Sequence, residues 1–168
     1  MRVLGIVCGT EFTGYGVVEL LAQAELRCCG CGAIKLSPRE PMPRRLATVF
    51  QRLGEIIREY QPHEVAIEDV FYAVNVKSAL KLGQVRGVAM LAASSSGLAV
   101  SEYSPLSIKS AVVGYGKAEK HQVQHMVTRL LKLEAPPESP DAADALAIAI
   151  CHLHTAATVE RQSATTGR

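Results

Sequence analysis

A chain of 168 residues, 48% of them hydrophobic, is long enough for one domain with a sizeable core and too apolar for a disordered tail. Its net charge of +2 hides a basic middle: eight Lys and Arg residues between Lys77 and Lys132 are opposed only by Glu102 and Glu119. That pattern suits a polyanionic partner. No apolar run reaches the length of a bilayer span, and Met1–Ile6 lacks the apolar core and cleavage site of a secretory leader, so a soluble cytoplasmic protein is expected. The five cysteines are Cys8, Cys28, Cys29, Cys31 and Cys151. An odd count without a leader argues against a disulfide framework, and a lone C-x-x-C in a strand-like segment reads as buried reduced thiols.

In chain order, 2–8 is a short apolar run of strand length. Residues 9–14 read as a turn and 15–21 as a second strand. A third strand covers 27–36, where Gly30 and Gly32 imply irregularity or a close backbone approach. The period then changes. Leu46, Val49, Phe50, Leu53, Ile56, Ile57 and Tyr60 recur at helical spacing over 44–60, and Gln61-Pro62 stops that helix. A fourth strand spans 64–70. Asn75 caps a helix from Val76 to about Ser94, and 98–103 is a fifth strand. Ser104-Pro105 and Ser139-Pro140 both have the cap-then-proline form of a helix start. Short helices are expected over 105–112 and 118–133, and a last helix from Pro140. Residues 1–158 make one domain, and 159–168 a flexible polar tail. A three-strand meander followed by alternating helices and strands is α/β, a mixed five-stranded sheet flanked by helices. This is the element order of the ribonuclease H-like nuclease fold.

Two constellations carry chemistry. Asp141 and Asp144 lie three apart in the last helix, inside the otherwise apolar run Pro140 to Ile150, and so share a face. Two carboxylates there repel, and a divalent cation offsets that. A helix N-terminus alone accounts for Asp141 but less well for Asp144, one turn further in. The second is Ile67-Glu68-Asp69-Val70-Phe71, where alternation sends Glu68 to one face of the strand and Asp69 to the other. Phe71 reads as core or as a wedge that stacks on bases.

Across roughly residues 1–155 the chain resembles RuvC-type Holliday-junction resolvases. The resemblance is carried by 2–18 (RVLGIVCGTEFTGYGVV), 67–71 (IEDVF), 77–91 (KSALKLGQVRGVAML), 109–127 (KSAVVGYGKAEKHQVQHMV) and 141–152 (DAADALAIAICH). It implies a metal-dependent endonuclease that nicks two like strands of a four-way DNA junction in recombination and repair. It also implies a homodimer, a branch-migration helicase complex as partner, and a pair of Mg²⁺ ions per subunit, with Mn²⁺ as the alternative. Glu68, Asp141 and Asp144 match three of the family's four metal-binding acids. Lys109, Lys117 and Lys120 match its DNA-binding stretch, and Phe71 its stacking aromatic. The helix from Val76 resembles its dimer helix, with Gly83, Gly87 and Ala89 permitting close packing.

The fourth acid is absent. The family pattern has Asp on the first strand where this chain has Val7, and Cys8 replaces the more usual proline. Valine cannot ligate a cation, so cleavage is expected to be impaired by about 10²–10⁴-fold. Glu11, four residues on and across a turn, is a poor substitute. His121 and His125 have metal-ligand spacing but read as exposed, and His152 likewise. A non-cleaving junction-binding module is the competing reading. Gly9-Thr10 to Thr13-Gly14 also resembles the phosphate hairpin of actin-like ATPases, which need a second domain that 168 residues do not supply.

Overall fold

The computed structural model describes residues 1–69 and 75–166, with side chains as far as 158. Strands β1 (Arg2–Val7), β2 (Phe12–Leu20) and β3 (Leu26–Lys35) form the meander. Helix α1 (Met42–Tyr60) leads to β4 (Glu64–Glu68), α2 (Val76–Ser95) and β5 (Ala99–Tyr103). Three helices close the chain: α3 (Pro105–Val113), α4 (Lys120–Leu130) and α5 (Pro140–Thr166). The sheet order is β3-β2-β1-β4-β5, with β1 antiparallel to β2 and parallel to β4.

The capping signals work as the sequence implies. Asn75 Oδ1 accepts from Ser78 N at 2.8 Å, and Ser104 Oγ accepts from Ser107 N at 3.1 Å. Glu119 and Gln122 form a reciprocal capping box that starts α4, two residues later than the apolar pattern implies. The β1–β2 turn is also shorter than expected, with β2 beginning at Phe12. The β2–β3 link contains a 3-10 turn in which Gln23 and Ala24 are left-handed (φ 61° and 60°), with no glycine to mark it. Beyond 158 the backbone stays helical to Thr166, where the sequence reads as a frayed tail.

Alternation along the strands splits the core into two layers. Leu4, Ile6, Val65 and Ile67 face α1 and α2, which bury Val49, Leu53, Val85 and Ala89 against them. Val3, Val18 and Ala66 face α5, whose Leu146, Ile148, Ile150 and Leu153 are buried there. The expected irregularity in β3 is a bulge: Val17 pairs with Gly30 and Val18 with Cys28, leaving Cys29 as the extra residue. All five cysteines are free thiols, but only Cys151 is fully buried; the other four are half-buried, Cys28 and Cys31 against the α5 layer and Cys8 and Cys29 against the α1–α2 layer.

Three glycines, Gly5, Gly14 and Gly16, set how closely α5 approaches the sheet. A Cβ on Gly5 would overlap the Ala145 carbonyl oxygen and stand 2.9 Å from Ala149 N. One on Gly14 would overlap the Asp141 carbonyl oxygen and stand 2.8 Å from Asp141 Cβ. The backbone of α5 therefore rests directly on β1 and β2. That seam fixes where the first turn of α5, and its aspartates, meet the strand ends.

Candidate nuclease site

The site begins with the alternation at the end of β4. Glu68 points to the α5 layer and Asp69 to the opposite layer, as the sequence implies. Asp69 is engaged there, with Arg86 Nη2 3.2 Å from its Oδ1. Glu68 instead enters a pocket of about 180 Å³ lined by Pro105, Ile108, Lys109, Lys120, Val123, Asp144, Ala147 and Ile148. One acid of the adjacent pair is committed to structure, and the other faces a half-open cavity.

Two lysines and two acids converge in that pocket. Lys120 Nζ donates to Asp144 Oδ2 at 2.7 Å, which holds the lysine protonated above its ordinary range. Both side chains keep solvent contact, so the pair adds little stability. Burial raises the Glu68 carboxyl above its ordinary value of 4.5, and the charge of Asp144 raises it further against Lys120 and Lys109. The folded chain thus keeps the Glu68 proton to higher pH than the unfolded chain. Stability contributed at this position falls as pH rises above about 4.5. Glu68→Gln is expected to raise the melting temperature at pH 7 and to give no gain at about pH 4 or below. Thermal unfolding of both forms across that range checks it; a stabilisation independent of pH would contradict it.

Asp141 is half-buried in the first turn of α5, beside Gly14, and its charge reaches Lys120. Val7 completes the surroundings. It pairs with Gly14 across the antiparallel ladder. The parallel register runs to Ile6 opposite Ile67, so Val7 comes next, beside Glu68. Its side chain packs on the α5 layer, the face to which Glu68 and the two aspartates belong.

The oxygen donors have the hard character that Mg²⁺ and Mn²⁺ take, but their number and arrangement fall short. Among the described residues no group of three or more His, Cys, Asp or Glu side chains could hold a metal ion. The cation nearest Asp144 is the ammonium of Lys120. The residues present do not fit a two-ion centre.

The other candidates divide. Lys109 lines the pocket, whereas Lys117 is exposed in the turn before α4 and outside the lining. Phe71 lies outside the described residues. Glu11 is exposed in the β1–β2 turn, and His121 and His125 are exposed on α4. His152 is a correction: it is 4% exposed, not at the surface. Its Nδ1 is 3.0 Å from Tyr103 Oη, and its Nε2 lies 2.9 Å from Glu64 Oε2 without hydrogen-bond alignment. It sits on the core side of α5, three turns beyond Asp141, where helical period returns it to the sheet. Arg86 escaped the sequence reading, which counted it only as one basic residue among eight.

The family model described as "Crossover junction endodeoxyribonuclease RuvC" matches residues 3–152. A protein of that description from Koribacter versatilis is 63% identical, over 98% of this chain and 99% of its own length. One from Acidobacterium capsulatum is 53% identical, over 96% and 98%. The structure of RuvC from Thermus thermophilus superposes with a TM-score of 0.86 at 34% identity, covering 94% of this chain and 96% of that one. The same protein in complex with a Holliday-junction substrate gives a TM-score of 0.86 at 32% identity. A family model matching residues 3–152 and a relative 63% identical over nearly its whole length show that this chain belongs to the RuvC family of crossover junction endodeoxyribonucleases.

Proposed function

We propose that this chain binds four-way DNA junctions over the pocket at the ends of β4 and α5, and that its cutting chemistry belongs to Glu68, Asp141 and Asp144. The observation that carries this reading is the meeting of Glu68 and Asp144 with Lys109 and Lys120 in one open pocket. A backbone phosphate entering there meets two ammonium groups, which position it without reading sequence. Lys120 exchanges its contact with Asp144 for the phosphate, freeing that carboxylate. Lys117 extends the basic surface, and Phe71 supplies the stacking aromatic.

Mg²⁺, with Mn²⁺ as the alternative, is the ion this family reading calls for. Val7 leaves the donor set one carboxylate short, so the chain binds either ion weakly and cuts slowly. Val7 and the Lys120–Asp144 pair equally favour a second reading, a protein that holds junctions without cutting them.

The exposed face of α2 supports a homodimer. Val76, Leu80 and Leu91 are 77%, 66% and 55% exposed, and a Cβ at Gly83 or Gly87 would meet open space. An apolar stripe of that kind on a helix fits a second copy of itself. A branch-migration helicase complex acts on the same junction as partner. No helix among the described residues is long and apolar enough to cross a membrane, and we place the protein in the cytoplasm with the DNA.

Fluorescence anisotropy with a synthetic junction and a linear duplex tests the binding half. Junction binding is expected to be tighter and to weaken steeply with salt. Lys109→Ala and Lys120→Ala should each lower the slope of log K against log salt by about 1. Asp141→Asn should leave junction affinity intact. Equal affinity for junction and duplex would rule out both readings.

A further inference from the structure

Arg86 lies on α2, 20% exposed, at the end of the sheet where β4 and β5 stop. Its guanidinium makes three contacts there. Nη2 stands 3.2 Å from Asp69 Oδ1 and also pairs with Glu102 of β5. Nε donates to the backbone carbonyl of Glu68 at 3.3 Å. Asp69 N donates to the Tyr103 carbonyl at 2.8 Å, so the β4–β5 ladder continues one residue past Glu68. Arg86 therefore grips the residue whose side chain enters the pocket, the residue after it, and the neighbouring strand.

Only arginine suits this place. A planar fork with five donors can serve two carboxylates and a carbonyl at once, whereas a lysine ammonium is a point charge on a flexible stem. Without the guanidinium, Asp69 and Glu102 would repel each other across two parallel strands. Holding the Glu68 carbonyl fixes the rotation of that peptide, and with it the direction in which the Glu68 side chain leaves the strand. The helix that carries Arg86 also carries the exposed stripe of Leu80 and Leu91.

We propose that Arg86 is a positioning residue: it ties α2 to the end of β4, so that the seating of α2 sets where the Glu68 carboxylate stands. The inference rests on the reading of Glu68 as catalytic. A misplacement of roughly 1 Å in a reacting group costs on the order of 10²-fold in rate.

The test uses Arg86→Lys, Arg86→Gln and, as a milder change outside the helix, Glu102→Gln. Each is made in the full chain and again in the Val7→Asp form. Amide exchange in the full chain reads the tether without any cutting. The Asp69 amide is expected to exchange about tenfold faster or more in each Arg86 variant, while amides in the α5 core stay protected. In the Val7→Asp form, kcat on a four-way junction is expected to fall about tenfold or more, with KM and junction affinity unchanged within about twofold. Arg86→Lys should not rescue it, and Glu102→Gln should add little on top of Arg86→Gln. An unchanged Asp69 exchange rate overturns the tether. Faster exchange with unchanged kcat overturns the positioning role. A rise in KM with a shallower salt slope shows a phosphate contact instead and also overturns it. If the Val7→Asp form with Arg86 intact does not cut, the catalytic reading has failed, and exchange at Asp69 alone decides whether Arg86 holds the strand.

Discussion

Val7→Asp is expected to raise Mg²⁺-dependent cutting of a synthetic four-way junction by about 10²–10⁴-fold. The backbone already provides for that carboxylate. Val7 is the last residue of β1, paired with Gly14 and next in register beside Glu68. Gly14 lies against the backbone of Asp141, so a side chain at position 7 leaves the strand between the β4 acid and the start of α5. An aspartate there would face the same layer as Val7 does now. It would bring oxygen donors to a place that now holds only methyl groups. The added charge also repels Glu68 and Asp141, so without divalent ion the Val7→Asp form should melt lower than the unchanged chain. Mg²⁺ should raise its melting temperature more than it raises that of the unchanged chain. Calorimetric titration of both forms gives the affinities directly. Two folded, junction-binding proteins that both fail to cut would sink the assignment of Glu68, Asp141 and Asp144.

Gly5→Ala is expected to destabilise the fold by about 3 kcal/mol, the upper end of the usual cost of overpacking. The new methyl would overlap the Ala145 carbonyl oxygen and crowd Ala149 N. Both are backbone atoms within a helix, so neither can rotate aside, and α5 must lift from β1. Its neighbours Leu146 and Ile148 are buried, which makes that movement expensive. Gly54→Ala is the matching control. It lies in the middle of α1, where a Cβ meets only the end of the Arg58 side chain at 3.5 Å. There the same chemical change should stabilise by about 0.5–1 kcal/mol, because glycine within a helix is unfavourable. Denaturant unfolding of the three proteins checks both signs. Equal effects at the two positions would mean that α5 does not rest on the sheet as described.

What the sequence makes legible here follows the range of the forces involved. Strand and helix periods are local, and the five strands and five helices stand close to where the apolar pattern puts them. Caps are local too, and Asn75, Ser104 and Pro105 mark their helix starts. The 3-10 turn at Ala22–Ala24 escaped because its left-handed residues are Gln and Ala, which carry no turn signature. His152 escaped because exposure at a polar residue is a matter of which helix face is covered, and α5 turns that face toward Tyr103 and Glu64. The choice between Glu68 and Asp69 came from family resemblance. Its physical reason, that Arg86 of α2 claims the second acid, is a tertiary contact invisible to any local pattern. Among the described residues, Glu68, Asp144, Lys109 and Lys120 share one pocket, whereas Asp141 and Lys117 lie outside its lining.

The seating of Val7 bears on how such a chain changes over generations. The position packs on apolar neighbours, and the frame around it is held by glycine backbone contacts that do not depend on its side chain. The fold therefore exacts no penalty for losing the acid there, and only the demand for DNA cutting would preserve it. Aspartate and valine codons can differ by a single base. A lineage could therefore silence the nuclease in one mutational step, keep its junction-binding surface intact, and recover the enzyme by the reverse step.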